Sequence, residues 1–596
     1  MLQGIERFSR RFDLIIYQKS KYFSAEQAQD NLTGLSPLLV RALRARGAVT
    51  PEQIERFLHP SAEDFHDPFL LPDMDKAVQR IHAALENGER ICIFGDYDVD
   101  GICSTAMLVD YFHSVGADVG YHIPSRREEG YGMSRGAIDK LHSCGVNLII
   151  TVDNGISAAD EISYCSELGI DVIVTDHHIP PETVPKCTAV VCHTVSNSQY
   201  PNSILCGAGI AFKLLHALAG LEAAMQYVSL AGLASVADVV PLLDENRVFV
   251  KLGLDAINSG NCCNGLYRLL NGVPTARRPY NACTLGFAVA PRLNASGRMS
   301  DASLGVELFL CRDPNRADEI IARLNKLNEL RQQDEANILN DAIRRLEPCD
   351  LSDTRAIVLR SETWNAGVIG IAASRIAEMY HRPTILFSES DGILKGSARS
   401  IDGVNIHEVL CCCREFFVRF GGHAKAAGIT MESAFFEDFR LKLNACLKTG
   451  YDDSVFIPCK RYEFDIPLEQ VTGELIAELT RLAPFGESNP SPVFRSRHVA
   501  VSRLRRFGSD AQHTKMDVSP SISSSAAPLD AVWFASAASY YRLLNADTVD
   551  ILYTPGINNW NGFDSIQLRV VSAKAEQPRD IDAYIEKGMR YFCNGL

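Results

Sequence analysis

The stretch ICIFGDYDVDG at 91–101 decides the fold. Ile91, Cys92, Ile93 and Phe94 form a short apolar run closed by Gly95, which reads as a strand buried on both faces. Directly after it, Asp96, Asp98 and Asp100 place carboxylates at alternate positions in the turn that leaves the strand. An amphipathic stretch at 103–115 follows, and the unit then recurs: ADVGYHI before 134–144, VNLIITV before 158–168, then IDVIVT and TAVVC. Short β-rich runs alternating with helical stretches predict an α/β fold with a doubly wound parallel sheet. Ligands of such sheets gather beyond the carboxyl ends of the strands. Two more acidic motifs fall there: Asp153-Asn154-Gly155 after VNLIITV, and Asp176-His177-His178 after IDVIVT.

Carboxylates drawn to one point repel unless cations sit between them. Mg²⁺ and Mn²⁺ prefer carboxylate oxygen, and an added imidazole favours Mn²⁺. Any one of these aspartates alone reads as a helix cap or turn former. Their recurrence at three equivalent strand ends makes the set a candidate metal centre. His178 either binds metal or supports the site from behind, and Asp176 orients an imidazole. Asp238, in SVADVVPL at 235–242, is by position alone a cap, a turn residue or a ligand.

The whole chain has 596 residues, room for about four domains at roughly 150 residues each. Its 59 Lys and Arg against 73 Asp and Glu give a net charge of −14, which excludes a generic cationic coat for nucleic acid or membrane. A polyanionic partner must therefore meet local basic clusters. With 46% hydrophobic and 22% charged residues the composition is that of a globular protein. No apolar run approaches the roughly 18 residues of a membrane span, and the N-terminus lacks a secretory pattern. A cytoplasmic protein without membrane contact is expected. The 18 cysteines, including Cys262-Cys263 and Cys411-Cys412-Cys413, form no paired CxxC knuckles and read as reduced structural residues.

Outward from the sheet, 1–75 reads as a helical and extended segment and 76–312 as the acidic α/β domain, with Ala- and Leu-rich helices at 207–257. Asp313-Pro314 caps a long helix over 313–347, polar on most faces and so suited to bridging domains. A smaller α/β domain over 348–454 contains GGHAKAAG at 421–428. From 455 to 596 several short strands predict an OB-like β-barrel, with SPSISSSAAP at 519–528 as an exposed loop. Arg495, Arg497, His498, Arg503, Arg505 and Arg506 lie within twelve residues there. With Phe507, Trp533 and Trp560 they suit backbone tracking and base stacking, although Trp533 in DAVWFA reads as readily as core.

GDYDVDG, VDNG, DHH and SVADVVPL, in that order, resemble the four motifs of the DHH phosphoesterase superfamily, and GGHAKAAG resembles the signature of its DHH-associated domain. PRLNASGRMSDASLGVELFL, GSARS and LAPFGESNPSPVF narrow the resemblance to the RecJ family of single-strand-specific exonucleases, over about 50–570. The resemblance implies two ions, Mn²⁺ or Mg²⁺, bridged by Asp153, with Asp96, Asp98 and Asp100 on one side and His177 and Asp238 on the other, and leaves open which of the three motif-one acids touches which ion. It implies that His423 contacts the scissile phosphate and that Arg298, Ser397 and Arg399 hold a 5′ phosphate. Arg126, Arg292 and Asn294 assist them, and Arg503, Arg505 and Arg506 track the DNA. The activity implied is 5′ to 3′ hydrolysis of single-stranded DNA to 5′-mononucleotides in recombination, DNA repair and mismatch repair, by a monomer. A RecQ-type helicase and a single-strand-binding protein are the implied partners. Other DHH phosphodiesterases, acting on oligoribonucleotides or cyclic dinucleotides, and a nonenzymatic replication scaffold are the alternatives. GSDAQHTKMDV and the Ser-rich loop after it depart from the family pattern.

Overall fold

The structure is a computed structural model. It describes residues 15–20, 34–125, 130, 132–274, 276–508, 510–521, 523–536, 540–544, 546, 548–560 and 563–575. A short strand, β1 (Ile16–Lys19), and two helices, Pro37–Ala45 and Pro51–Leu58, come first. Each helix starts on a hydroxyl cap followed by Pro, with Ser36 accepting from Leu39 N and Thr50 from Gln53 N.

The first large domain alternates β2 (Ile91–Phe94), β3 (Val119–His122), β4 (Leu148–Val152), β5 (Asp171–Thr175) and β6 (Ala189–Val191) with helices Val99–Ser114, Arg135–Ser143 and Ala159–Glu167. All five strands are parallel, in the order β3-β2-β4-β5-β6. Alternate residues enter opposite cores, as a period of two demands. Ile91 and Ile93 join the core built with helices Gly207–Ala219, Val228–Ala237 and Asp244–Ser259, while Cys92 and Phe94 join the one built with Ile138 and Ile162. The strand order reverses between β2 and β4, so the crevice expected to take ligands opens where motifs one and two leave the sheet. Within the helical layer Lys213 Nζ lies 2.5 Å from Glu245 Oε1, with both side chains fully enclosed. Glu245 also accepts from Tyr200 Oη at 2.7 Å and from His66 N at 3.0 Å.

The long helix spans Pro314–Leu346 and bridges two cores. Ala317, Ile320, Ile321 and Leu324 pack into the first domain, and Ile338, Ala342 and Leu346 pack with Ile357, Trp364, Ile376 and Leu386 of the next. That second sheet holds β7 (Ile357–Ser361), β8 (Thr384–Ser390), β9 (Ile393–Arg399), β10 (Phe417–Gly422) and β11 (Ala426–Glu432), in the order β10-β11-β9-β8-β7. Helices Ile369–Tyr380 and Phe436–Gly450 cover its two faces.

In the C-terminal region β12 (Cys459–Tyr462) pairs with β1. It is followed by β13 (Phe464–Asp465), β14 (Phe494–Phe507), β15 (His513–Ser519), β16 (Leu529–Trp533), β17 (Thr548–Trp560) and β18 (Phe563–Ala575). The order β14-β15-β16-β18-β17, with β17 returning to β14, closes a five-stranded barrel. Leu39, Leu43, Ile54 and Phe57 of the first two helices enter the core that holds the barrel's Phe494, Val499, Met516 and Val549. The N-terminal segment thus folds onto the C-terminal domain, held by Arg46, whose guanidinium pairs with Glu463 at 3.2 Å. No described helix is long and apolar enough to cross a membrane.

Candidate active site

Motif one turns directly from β2 into the helix Val99–Ser114. Asp98 is the cap of that helix, its Oδ1 accepting from Asp100 N at 2.9 Å and Gly101 N at 3.2 Å. Asp96 and Asp100 are buried. Asp153 leaves β4 with φ 61°, a left-handed conformation, and is buried. His177 follows β5, with Nε2 3.1 Å from Asp153 and 3.8 Å from Asp100 and Nδ1 3.9 Å from Asp238.

Among the described residues, three sets have ligand atoms within 4.8 Å of one another: Asp96, Asp98 and Asp153; Asp153, His177 and His178; Asp100, His177 and Asp238. Asp153 belongs to two sets and His177 to two. Which motif-one acid meets which ion was open in the sequence; the geometry groups Asp100 with His177 and Asp238, apart from Asp96 and Asp98. The reason is a contact that the sequence reading missed. Gly207 N and Ala208 N, at the start of the helix Gly207–Ala219, each donate to an Asp100 oxygen at 2.7 Å, drawing it toward the positive helix end. Gly207 is required there, since a Cβ would come within 2.7 Å of the Asp153 side chain. The signal was the paired glycines of CGAG at 206–209.

Asp176 stands outside these sets. One of its oxygens accepts from Ile156 N at 2.9 Å, and the other meets His178 Nδ1 at 2.7 Å and His177 N at 2.7 Å. It therefore orients His178, as the sequence suggested. Burial alone would lower the His178 pKa, but the hydrogen bond and charge of Asp176 raise it to about 9. His177 is pushed down to about 3 by burial, with His178 adding to the effect, so its imidazole is neutral and able to ligate a cation. Among the acids, burial and then neighbouring carboxylates push Asp100 up to about 7, Asp238 up to about 9 and Asp153 well above the usual range. Packed, oxygen-rich and repelling, with one or two imidazoles, this donor set fits Mn²⁺ or Mg²⁺.

The second domain contributes a separate polar pocket. Ser397 and Arg399 lie on the same side of β9, with Arg399 Nη1 2.9 Å from Ser397 Oγ. A Cβ on Gly370, at the start of the helix Ile369–Tyr380, would lie 2.8 Å from both groups, so a helix N-terminus, a guanidinium and a hydroxyl converge. Arg298 reaches the same loop, donating to Gly367 O at 3.1 Å. Sequence reading singled out Arg298, Ser397 and Arg399 and a helix at 366–380, but not that the start of this helix meets Ser397 and Arg399, the signal being the glycine pair in NAGVIG at 365–370. The helix Ala290–Met299 ties pocket to acids: Asn294 Oδ1 accepts from Val99 N at 3.2 Å, and Gly297 presses on Tyr97. Arg292 is engaged elsewhere, with Asn325 at 2.7 Å and with Ala288 O. His423 is exposed at the β10–β11 turn, its N bonded to Ala426 O at 2.8 Å, and Ala426 pairs with Arg399, which sets His423 at the pocket end of the sheet. Arg126 lies outside the described residues.

On the barrel, Arg503 pairs with Asp517, Arg505 is exposed, and Arg506 lies 4.7 Å from the Tyr540 ring. Trp533 is half-buried against the barrel core, and the Trp560 side chain lies outside the description. The exposed aromatics of the barrel are instead Phe563, 79% accessible at the start of β18, and Phe534, 46% accessible, edge to face with Phe507 and His513 and 5.5 Å from the Arg569 guanidinium.

Residues 90–237 match the DHH family, N-terminal domain; 353–449 match the DHHA1 domain; 462–572 match the RecJ OB domain. The chain is 37% identical over 545 residues to the single-stranded-DNA-specific exonuclease RecJ of Bacillus subtilis (strain 168), covering 91% of this chain and 68% of that protein. It is 33% identical over 566 residues to RecJ of Escherichia coli (strain K12), covering 91% of this chain and 96% of that one. The crystal structure of RecJ from Thermus thermophilus in complex with Mn²⁺ superposes with a TM-score of 0.77 at 30% identity, over 92% of this chain and 76% of that one. The parallel α/β domain, the second domain and the closed barrel are therefore the parts of one known architecture, and the chain belongs to the RecJ family.

Proposed function

We propose that the chain is a metal-dependent exonuclease that hydrolyses single-stranded DNA from its 5′ end to 5′-mononucleotides, in the cytoplasm, in recombination and repair. A RecQ-type helicase would supply its strand, and a single-strand-binding protein would share it. The observation that carries this reading is Asp153, shared between an all-carboxylate set and a histidine set at the sheet's switch point. Divalent ions bound there would activate water for attack on phosphorus and offset the scissile phosphate's charge. Asp96, Asp98 and Asp153 would hold one ion, and Asp100, His177 and Asp238 the other, with His178 beside Asp153. His423 would donate to a non-bridging phosphate oxygen from the second domain, and Arg298, Ser397 and Arg399 would grip the 5′ phosphate. The barrel arginines and Phe534 would guide the strand behind it. Digestion of 5′- and 3′-labelled single and double strands with Mn²⁺ or Mg²⁺ tests the whole reading. Activity without either ion, or from 3′ ends, contradicts it.

Three further outcomes are expected. Saturating Mn²⁺ raises the melting temperature by about 5 °C, because a cation among mutually repelling acids binds only the folded chain; an unchanged melt argues against the centre. Arg399→Ala lowers the preference for a 5′-phosphorylated over a 5′-hydroxyl strand roughly 10- to 100-fold, the scale of one charge-assisted contact. If competition assays show the preference intact, the pocket is elsewhere. Single-strand affinity falls roughly 50-fold between 50 and 200 mM salt if about four phosphates are neutralised, and a flat salt response in filter binding removes the electrostatic track.

A further inference from the structure

Asp238 stands on a turn that carries backbone strain. It ends the helix Val228–Ala237, and the next residue, Val239, has φ 59° while 63% exposed. A β-branched side chain in the left-handed region is strained, and this one has little packing around it. Asp244, which opens the helix Asp244–Ser259, has φ 48° as well. Conformations of this kind persist when the surroundings impose them.

Within its own domain Asn246 holds Pro241 O at 3.0 Å; the rest of those surroundings come from another domain. The segment LAPFGESN at 482–489 runs into β14 of the barrel and lies against the turn. Leu242 N donates to Glu487 O at 2.8 Å, and Gly486 sits so near that a Cβ would fall 2.6 Å from Leu242 Cδ1. Arg247, buried in the following helix, donates to Leu482 O at 3.1 Å and Ala483 O at 2.7 Å, and stacks 3.8 Å over the Phe57 ring. The segment is itself stiffened by Asn489, which donates to Leu482 O at 2.8 Å and Pro484 O at 2.7 Å and accepts from Arg46 Nε at 2.6 Å. Asp238 is also the least enclosed acid of its set, with 26% of its side chain accessible against 1% for Asp100. A small shift of its backbone is therefore opposed by little around the carboxylate itself.

We propose that 482–489 is a positioning element for the metal centre: through Leu242 and Arg247 the barrel domain sets where the Asp238 carboxylate stands, without touching an ion. The inference rests on the proposed reading that the acid sets bind divalent cations, and it assigns control of one of the two sites to a segment of the nucleic-acid-binding domain. Calorimetric titration of the full chain with Mn²⁺ alone, beside a thermal melt, tests it. In Gly486→Ala the added methyl displaces Leu242, so one Mn²⁺ site weakens about tenfold, the lower end of the loss seen when a supporting contact behind a metal ligand is removed, and the other is unchanged. Adding Leu242→Ala to the same chain makes room for the methyl and restores the weakened site. Arg247→Lys, which keeps the charge but loses the fork to two carbonyls, weakens the same site. Wild-type affinity at both sites in a Gly486→Ala chain that melts normally, or in Arg247→Lys if the first variant does not fold, overturns the positioning role. Absence of Mn²⁺ binding by the wild-type chain overturns instead the metal-centre reading beneath it.

Discussion

Asp153→Asn is expected to lower turnover on single-stranded DNA by at least about 10³-fold, the scale of losing one electrostatic element from an enclosed site, while the chain stays folded. The choice of Asn follows from the backbone. Asp153 has φ 61°, and Asn, with Asp, tolerates that region better than other residues with a side chain. Asparagine keeps the shape and removes the charge shared by two ligand sets. Asp153→Ala would lose the same charge and add backbone strain of about 1 kcal/mol, so the two variants should be equally inactive but differ in melting temperature. Release of labelled nucleotide, measured beside circular dichroism, separates these effects. Wild-type turnover in a folded Asp153→Asn chain would refute the assignment of Asp153.

The largest loss of stability is expected from Lys213→Met. The ion pair with Glu245 is fully enclosed, and Lys213 Nζ also donates to His66 O at 2.6 Å. Removing the ammonium leaves a carboxylate buried among Tyr200, Asn202 and the His66 amide without its counter-charge. Breaking a buried pair from one side costs about 3–5 kcal/mol. Lys213→Met/Glu245→Gln should recover most of it, because no uncompensated charge remains: the amide oxygen can accept from His66 N while the amide nitrogen faces the Tyr200 hydroxyl, which can accept as well as donate. The midpoint of the first urea transition reads both values. Equal midpoints for the single and double variants would show that the uncompensated charge is not the source of the loss.

Much of this was legible because it is local. The first sheet followed from apolar runs such as Ile91–Phe94 and Leu148–Val152, whose strands are wholly buried, and the acids could be placed because each follows its strand directly. The bridging role of Pro314–Leu346 was visible in its sparse apolar positions, which prove to enter two different cores. What stayed hidden depends on contacts between distant residues. Nothing near Leu39 or Phe57 indicates that they pack with Phe494, and nothing in motif one indicates that Asp100 is held by amides at Gly207 and Ala208. The exposed Phe534 was overlooked beside the larger Trp533 because the strand ends at Trp533 and Phe534 falls in the turn beyond it, a boundary that the run DAVWFA does not mark.

The helix Pro314–Leu346 has 33 residues and, at about 1.5 Å each, a length of about 50 Å. Its two halves are bedded in separate cores, so the helix links the domain of the acids to that of the second polar cluster through packing at both ends. On the proposed function, hydrolysis would then be an act of measurement. The terminus would be registered at one station and severed at the other, so fragment size would follow from the spacing between them and be indifferent to the order of the bases.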